Sequence, residues 1–296
     1  MSLTSALLWG PLGLAGALLG ARQLLHRGLA PAATVAGLQP ADLGLAAQDV
    51  SIPGARGLRL FAWFVPAPLA SAPSSPAPAI VLLHGWGGNA STLLPAAQAL
   101  HRAGHAVLLL ESRNHGRSDR DGHSSLPRFA EDLESALDWL AARPDVDAGR
   151  LMALGHSVGG AAVLLAASRR DDLRAVVSVS AFAHPEQVMR RWLAAYHVPY
   201  WPLGWLVNRY VERVIGTRFE RIAPITTVPR ARCPVLLVHG RQDATVPVGD
   251  ARRLMAHCGA AKVQLVECEG THEGFDDLDG VTREILAFLA PAAPNT

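Results

Sequence analysis

One hexapeptide has the composition of a seat for a nucleophile: Gly155-His156-Ser157-Val158-Gly159-Gly160. It follows the apolar run Leu151–Leu154 and opens a second apolar stretch through Ala161, Val163, Leu164 and Leu165, so it reads as strand, sharp turn and helix. A serine hydroxyl attacks well only if a base takes its proton and donors receive the charge that builds on the substrate oxygen. On so tight a turn a Cβ two residues to either side would strike the adjoining strand or helix, and Gly155 and Gly159 avoid this. Ser157 would then stand exposed above a sheet, with the Val158 N–H and the helix N-terminus aimed at a developing oxyanion. A glycine-rich turn carrying a solvent-facing serine has the same spelling, so the hexapeptide alone leaves both readings open.

The elements that would position this turn alternate along the chain. Asp49–Ile52 and Arg59–Val65 read as an antiparallel hairpin around Pro53, Gly54 and Gly57, and residues 66–78, rich in Pro, Ser and Ala, as a surface loop. Continuous apolar runs then mark strands buried on both faces: Ala79–Leu83, Ala106–Leu110, Leu151–Leu154, Ala175–Val179, Val235–Val238 and Val263–Val266. Between them Thr92–Arg102, Phe129–Ala142, Val158–Ser168, Val248–Cys258 and Val281–Leu289 read as helices. The stripe Phe129, Leu133, Leu137, Leu140 is the plainest, with Glu131, Asp132, Glu134 and Asp138 mostly on other faces. The expected fold class is α/β, a mostly parallel central sheet flanked by helices, with ligands bound at the carboxyl ends of the strands. Residues 182–230 break the rhythm. They hold all three tyrosines and Trp192, Trp201 and Trp205, and read as a helical cap insertion in a domain spanning residues 46–290.

Composition narrows the function. Half of the 296 residues are hydrophobic and 18% are charged, which excludes a disordered chain. The 27 basic and 25 acidic residues form no long run of one sign, which argues against a nucleic-acid partner. Cys233, Cys258 and Cys268 read as free thiols, with a Cys258–Cys268 bridge as the alternative. Residues 1–21 contain no ionisable side chain, and as a helix would reach about 30 Å, the thickness of a bilayer's apolar core. Residues 1–28 are therefore expected to form an N-terminal hydrophobic helix and membrane anchor. Arg22 and Arg27 after the apolar run would keep the following domain on the cytoplasmic side. A signal peptide and an amphipathic or core helix are the competing readings.

Four further segments, together with the hexapeptide, resemble the α/β-hydrolase superfamily, and the likeness spans about Asp49 to Leu289. His84-Gly85-Trp86-Gly87-Gly88 is similar to the family's oxyanion loop, which implies the Trp86 N–H as second donor beside that of Val158. Glu111-Ser112-Arg113-Asn114-His115-Gly116-Arg117-Ser118 is similar to a loop that braces the site, with Glu111 where Asp is more usual. His239-Gly240-Arg241-Gln242-Asp243, leading to Val246-Pro247, resembles the acid loop, and Gly270-Thr271-His272 resembles the loop of the general base. The resemblance thus implies Ser157 as nucleophile, His272 as base and Asp243 as the acid that orients it, in the chain order of this fold. It assigns His84, Gly85, Gly155 and Gly159 to shaping the site. His115, His156 and His239 are expected to shape loops or bond backbone.

A serine at the turn argues against the aspartate-based dehalogenase and epoxide-hydrolase chemistries of the superfamily. No zinc-binding, phosphate-loop or dinucleotide motif is present, so no metal and no cofactor are implied. The expected activity is hydrolysis of a small-molecule acyl substrate, a carboxylic ester with an apolar, medium-chain or lipid acyl group for which the aromatic insertion would supply the walls. Aminopeptidase, amidase or thioesterase chemistry on the same residues, and a catalytically silent binding module, are the alternatives. The insertion's tryptophans would otherwise pack it on the main core. The sequence does not fix an oligomeric state.

Overall fold

The computed structural model describes residues 28–32, 34–68 and 76–290, with Gly20 and Gln23 before them. Among the described residues eight strands form one sheet: β1 (Gln48–Pro53), β2 (Arg59–Val65), β3 (Ala77–Leu83), β4 (Ala106–Leu110), β5 (Val146–His156), β6 (Leu173–Val179), β7 (Val235–Gly240) and β8 (Val263–Cys268). Their spatial order is β1-β2-β4-β3-β5-β6-β7-β8. The hairpin pairs antiparallel, with Gln48 opposite Phe64 and Pro53 opposite Arg59, and β2 is antiparallel to β4. All later neighbours are parallel, so β3 to β8 end on one edge.

Among the described residues seven helices of eight or more residues accompany the sheet: α1 (Leu94–Arg102), α2 (Leu126–Ala141), α3 (Val158–Ala167), α4 (Pro185–Ala195), α5 (Trp205–Ile215), α6 (Gly249–Ala256) and α7 (Leu278–Leu289). Alternate residues of each strand feed two separate apolar clusters. Val81, Leu108, Ala153 and Leu237 meet α2, α3 and Leu254 of α6 on one face. Ile80, Leu109, Met152 and Leu236 meet Leu94, Ala97 and Leu100 of α1 and Ile285 of α7 on the other. Covering on both faces is why these strands read as unbroken apolar runs. Every residue of α3 is buried, so this helix is apolar all round and is clamped between the sheet and its neighbours.

Three local expectations shift. β5 begins at Val146, because Asp147, Gly149 and Arg150 interrupt the apolar pattern where only the Ala77–Val146 pair extends the parallel ladder. α2 starts at Leu126, with Pro127 in its first turn, where a missing N–H costs nothing. Asp132, expected away from the core, is fully buried; its carboxylate receives Arg113 Nε at 2.8 Å and the Arg113 backbone N–H at 2.9 Å. The three cysteines are free thiols, so the alternative of a Cys258–Cys268 bridge falls.

Residues 182–230 are mainly helical, through α4, α5 and short turns at Phe219–Ile222 and Pro224–Thr227. Their tryptophans neither pack on the core nor sit enclosed. Trp192 is 54% exposed, Trp201 71% and Trp205 37%. Val211, Phe219 and Ile222 make the inward contacts instead. The apolar segment at residues 1–28 lies almost wholly outside the described residues. Among the described residues no helix is long and apolar enough to cross a membrane, so the N-terminal hydrophobic helix and its anchoring role gain no support from the structure.

Candidate active site

β5 delivers Gly155 and His156 to the turn, and Ser157 occupies it at φ +56° and ψ −117°, a conformation an L-residue holds only when its surroundings enforce it. Enforcement is visible on both sides. A Cβ on Gly155 would collide with the Gly159 carbonyl, and one on Gly159 with the carbonyls of Leu83 and His84. The Ser157 N–H donates to Val179 O at 2.8 Å, and its carbonyl accepts from Ala161 N at 3.0 Å as the first turn of α3.

His272 Nε2 lies 3.1 Å from Ser157 Oγ, across 115 positions of sequence. Its Nδ1 lies 2.7 Å from Asp243 Oδ2. Asp243 Oδ1 accepts from Thr245 N at 2.9 Å and Val246 N at 2.7 Å, which fixes the carboxylate's rotation. Burial pushes the Asp243 carboxyl upward, but hydrogen bonds from His239, His272 and the Val246 N–H outweigh it and hold the group well below the usual carboxylate range. The carboxylate therefore stays charged beside His272. Asp243 and His272 are both buried, which strengthens this contact relative to one in water.

The loops carrying these two residues are stitched together. Arg241 N donates to Cys268 O at 2.8 Å, Gln242 N to Gly270 O at 3.0 Å, and Gly270 N back to Gln242 Oε1 at 2.5 Å. A Cβ on Gly240 would press on the carbonyls of Gly270 and Thr271, so glycine there permits the loops to meet. His156 adds a third tie, since its Nε2 lies 2.8 Å from His272 O and must be the donor to a carbonyl.

Val158 follows the serine directly, and Trp86 follows Gly85 in the loop after β3. The loop after β3 approaches so closely that a Cβ on Gly85 would lie 3.2 Å from Ser157 Cβ. Among the described residues neither the Trp86 N–H nor the Val158 N–H has a backbone acceptor, and Val158 is the first residue of α3. The indole of Trp86 stacks on Phe129, with 6.4 Å between centroids and 17° between planes. His84 donates from Nδ1 to Gly85 O at 2.7 Å and accepts at Nε2 from Ser112 N at 3.2 Å; burial, with His115 beside it, lowers its pKa to about 3. His115 accepts from Gly87 N at 3.1 Å, and His239 donates to Val246 O at 2.7 Å. All three rings brace the loops through backbone.

Glu111 is also committed to backbone. It accepts from Ala90 N at 3.3 Å and Arg117 N at 2.6 Å, and burial raises its pKa. A second brace of this loop is not foreseen from the sequence. Arg113, fully buried, holds Asp132 and also Glu131 at 2.6 Å, tying the loop after β4 to α2. Arg113, three residues beyond the apolar run of β4, followed by the adjacent acids Glu131 and Asp132 on the next helix, was the available signal. Among the described residues no group of His, Cys, Asp or Glu has the arrangement of a metal site.

A mostly parallel sheet whose strand ends gather a serine, a histidine and a carboxylate defines an α/β hydrolase, and the protein is a serine hydrolase of that class. The chain belongs to the family described as serine aminopeptidase, S33, whose profile matches residues 74–226. It is similar to the uncharacterized protein Rv2307c of Mycobacterium tuberculosis, with 30% identity over 84% of this chain and 81% of that one. Among solved structures it resembles the Pyrococcus furiosus esterase Pf2001, with a TM-score of 0.70 at 20% identity over 88% of this chain and 97% of that one. A puromycin-hydrolyzing peptidase of Mycobacterium tuberculosis matches with a TM-score of 0.66 at 22% identity, over 86% of this chain and 40% of that one.

Proposed function

We propose that the enzyme hydrolyses carboxylic esters with an apolar acyl group through an acyl-enzyme on Ser157. The observation that carries this reading is the continuous relay from Ser157 Oγ to His272 Nε2 at 3.1 Å and from His272 Nδ1 to Asp243 Oδ2 at 2.7 Å. His272 takes the Ser157 proton as Oγ adds to the carbonyl carbon, and the oxyanion is received by the N–H groups of Trp86 and Val158. The same proton passes to the departing alkoxide as the carbon–oxygen bond breaks. Water then gives His272 a proton and adds to the acyl carbon, Ser157 leaves with that proton, and a carboxylic acid departs. Asp243 keeps the imidazole in the tautomer this requires.

Residues 182–230 serve as the cap in this reading, because they follow the end of β6, where Val179 O receives the Ser157 N–H, and so leave the sheet on the edge that carries the nucleophile. The family description and the peptidase likeness make an amide the second reading. The esterase matches over 97% of its own chain and the peptidase over 40% of its own. This favours the ester.

A fluorophosphonate probe should label the wild type, and Ser157→Ala should abolish labelling and lower kcat by roughly 10⁴-fold or more. Equal labelling of both proteins would remove Ser157 from its role, and no labelling of either would leave a binding module. A panel of acyl esters of increasing length set beside aminoacyl amides should show turnover of the esters, rising with chain length. Preference for the amides would decide for the second reading.

A further inference from the structure

We infer that the turn between α4 and α5 docks on an anionic lipid bilayer. The described residues have eleven exposed large apolar side chains, and six of these, Trp192, Tyr196, Trp201, Leu203, Trp205 and Leu206, fall within one stretch of fifteen positions. Single exposed apolar residues are ordinary on a protein surface, whereas a concentration of this kind marks a surface that is covered in use. Tyr196 and Trp201 are each 71% exposed.

The six share one end of a helical pair. Trp192 and Tyr196 pack edge to face at 6.2 Å, and Trp201 and Trp205 meet at 5.7 Å. The chain between them is tied back to α4, with His197 N on Ala194 O and Val198 N on Leu193 O, both at 2.9 Å. A Cβ on Gly204 would lie 3.0 Å from Tyr200 Cδ2 and 3.1 Å from Leu193 Cδ1, so the start of α5 is seated against the end of α4. The rings are thus presented together on a braced tip. Trp and Tyr, apolar with one polar edge, are the side chains that settle at headgroup depth.

Charge selects the kind of surface. Residues 182–230 contain seven arginines and three glutamates, a net of +4 in a chain whose total is +2, so the remainder carries −2. All three glutamates are engaged locally, Glu186 by Arg190 and Tyr200, Glu212 by Arg209 and the Phe219 N–H, and Glu220 by His184 and Thr226. The exposed face of α5 runs Trp205, Leu206, Arg209, Arg213, while Asn208 and Val211 are buried. Arg213, Arg218 and Arg221 are exposed and have no carboxylate partner among the described residues. An apolar tip backed by cations is the layout of a helix lying in an anionic interface. Each cation brought near such a surface strengthens partition by roughly fivefold. A rigid protein partner would need preformed hollows for four protruding rings; a fluid interface closes around them. Docking does not depend on whether the bond cleaved is an ester or an amide.

The test is hydrogen exchange on the full chain with vesicles of equimolar phosphatidylcholine and phosphatidylglycerol, with a sedimentation assay alongside. Amides of residues 192–206 should gain protection, and partition should fall at least tenfold on pure phosphatidylcholine or in high salt, which screens the arginines. Trp201→Ala with Leu203→Ser, both at exposed positions, should remove the protection and lower partition at least tenfold, with the melting temperature unchanged. The inference is overturned by absence of vesicle binding, or by binding that leaves residues 192–206 exchanging freely, since contact would then be made elsewhere. It is equally overturned if sedimentation velocity without lipid shows a dimer that Trp201→Ala dissolves, because the tip would then belong to a second copy.

Discussion

Replacing Asp243 by asparagine changes one atom's hydrogen-bonding role while leaving size and shape intact. In the wild type Oδ1 receives the N–H groups of Thr245 and Val246, at 2.9 and 2.7 Å, and Oδ2 receives His272 Nδ1 at 2.7 Å. Asparagine keeps its oxygen toward the two backbone donors, because turning it would set its NH₂ against both. Its NH₂ then faces His272 Nδ1. Two donors cannot share so short a contact, so the imidazole moves its proton to Nε2. That atom lies 3.1 Å from Ser157 Oγ, and the serine meets a donor where the reaction needs a base. Loss of the correct tautomer costs on the order of 10⁴ in kcat, or about 5 kcal/mol at the transition state. Ester binding should change little, since Asp243 does not face the acyl group in this mechanism. The assay is steady-state hydrolysis of a chromogenic ester, with the rate of fluorophosphonate labelling and the melting temperature measured on the same preparations. A folded variant that retains kcat within tenfold of wild type would refute the orienting role and return the search to another acid.

The same substitution yields a pH prediction for stability. Asp243 has a carboxyl pKa held below its unfolded value of roughly 4, so its contribution is present above that value and is lost as pH falls through the depressed native value. The melting-temperature advantage of wild type over Asp243→Asn should therefore be full at about pH 6 and shrink below about pH 4; an advantage that grows in acid would reverse the assignment. Behind the site, Asp132→Ala removes the buried partner of Arg113 and leaves that guanidinium with the partly exposed Glu131 at 2.6 Å and Asp121 at 3.6 Å. The expected cost is about 3–5 kcal/mol, read as a drop of roughly 10 °C in melting temperature; a shift within a degree or two would mean the charge finds solvent.

Legibility varied with how local the governing physics is. The hairpin, strands β3 to β7 and the helices that cover them could be read because burial on both faces demands unbroken apolar runs, and burial on one demands a stripe; β8, expected to be buried on both faces, lies at the sheet edge and is only half-buried. The turn at Ser157 could be read because only glycine tolerates the backbone contacts made at Gly155 and Gly159. Asp132 was misplaced because helical periodicity counts an acid as outward-facing, and only its meeting with Arg113 from a separate loop makes burial affordable. The insertion's aromatics were misplaced for the converse reason. Large apolar side chains are expected inside, yet Val211, Phe219 and Ile222 fill the inward positions and leave the rings outside.

The sequence by itself determined the alternating elements, the strained turn and the set of residue types suited to acyl transfer, all of which follow from steric and hydrophobic demands within a few consecutive positions. Tertiary structure decided the strand order that sets β5 between β3 and β6, and it carried the imidazole of His272 across 115 positions to the hydroxyl of Ser157. It also chose which carboxylate points at that ring and which two are spent on bracing loops. No chain-local rule supplies these, because each is a contact between surfaces that exist only once the sheet has assembled and both of its faces are covered.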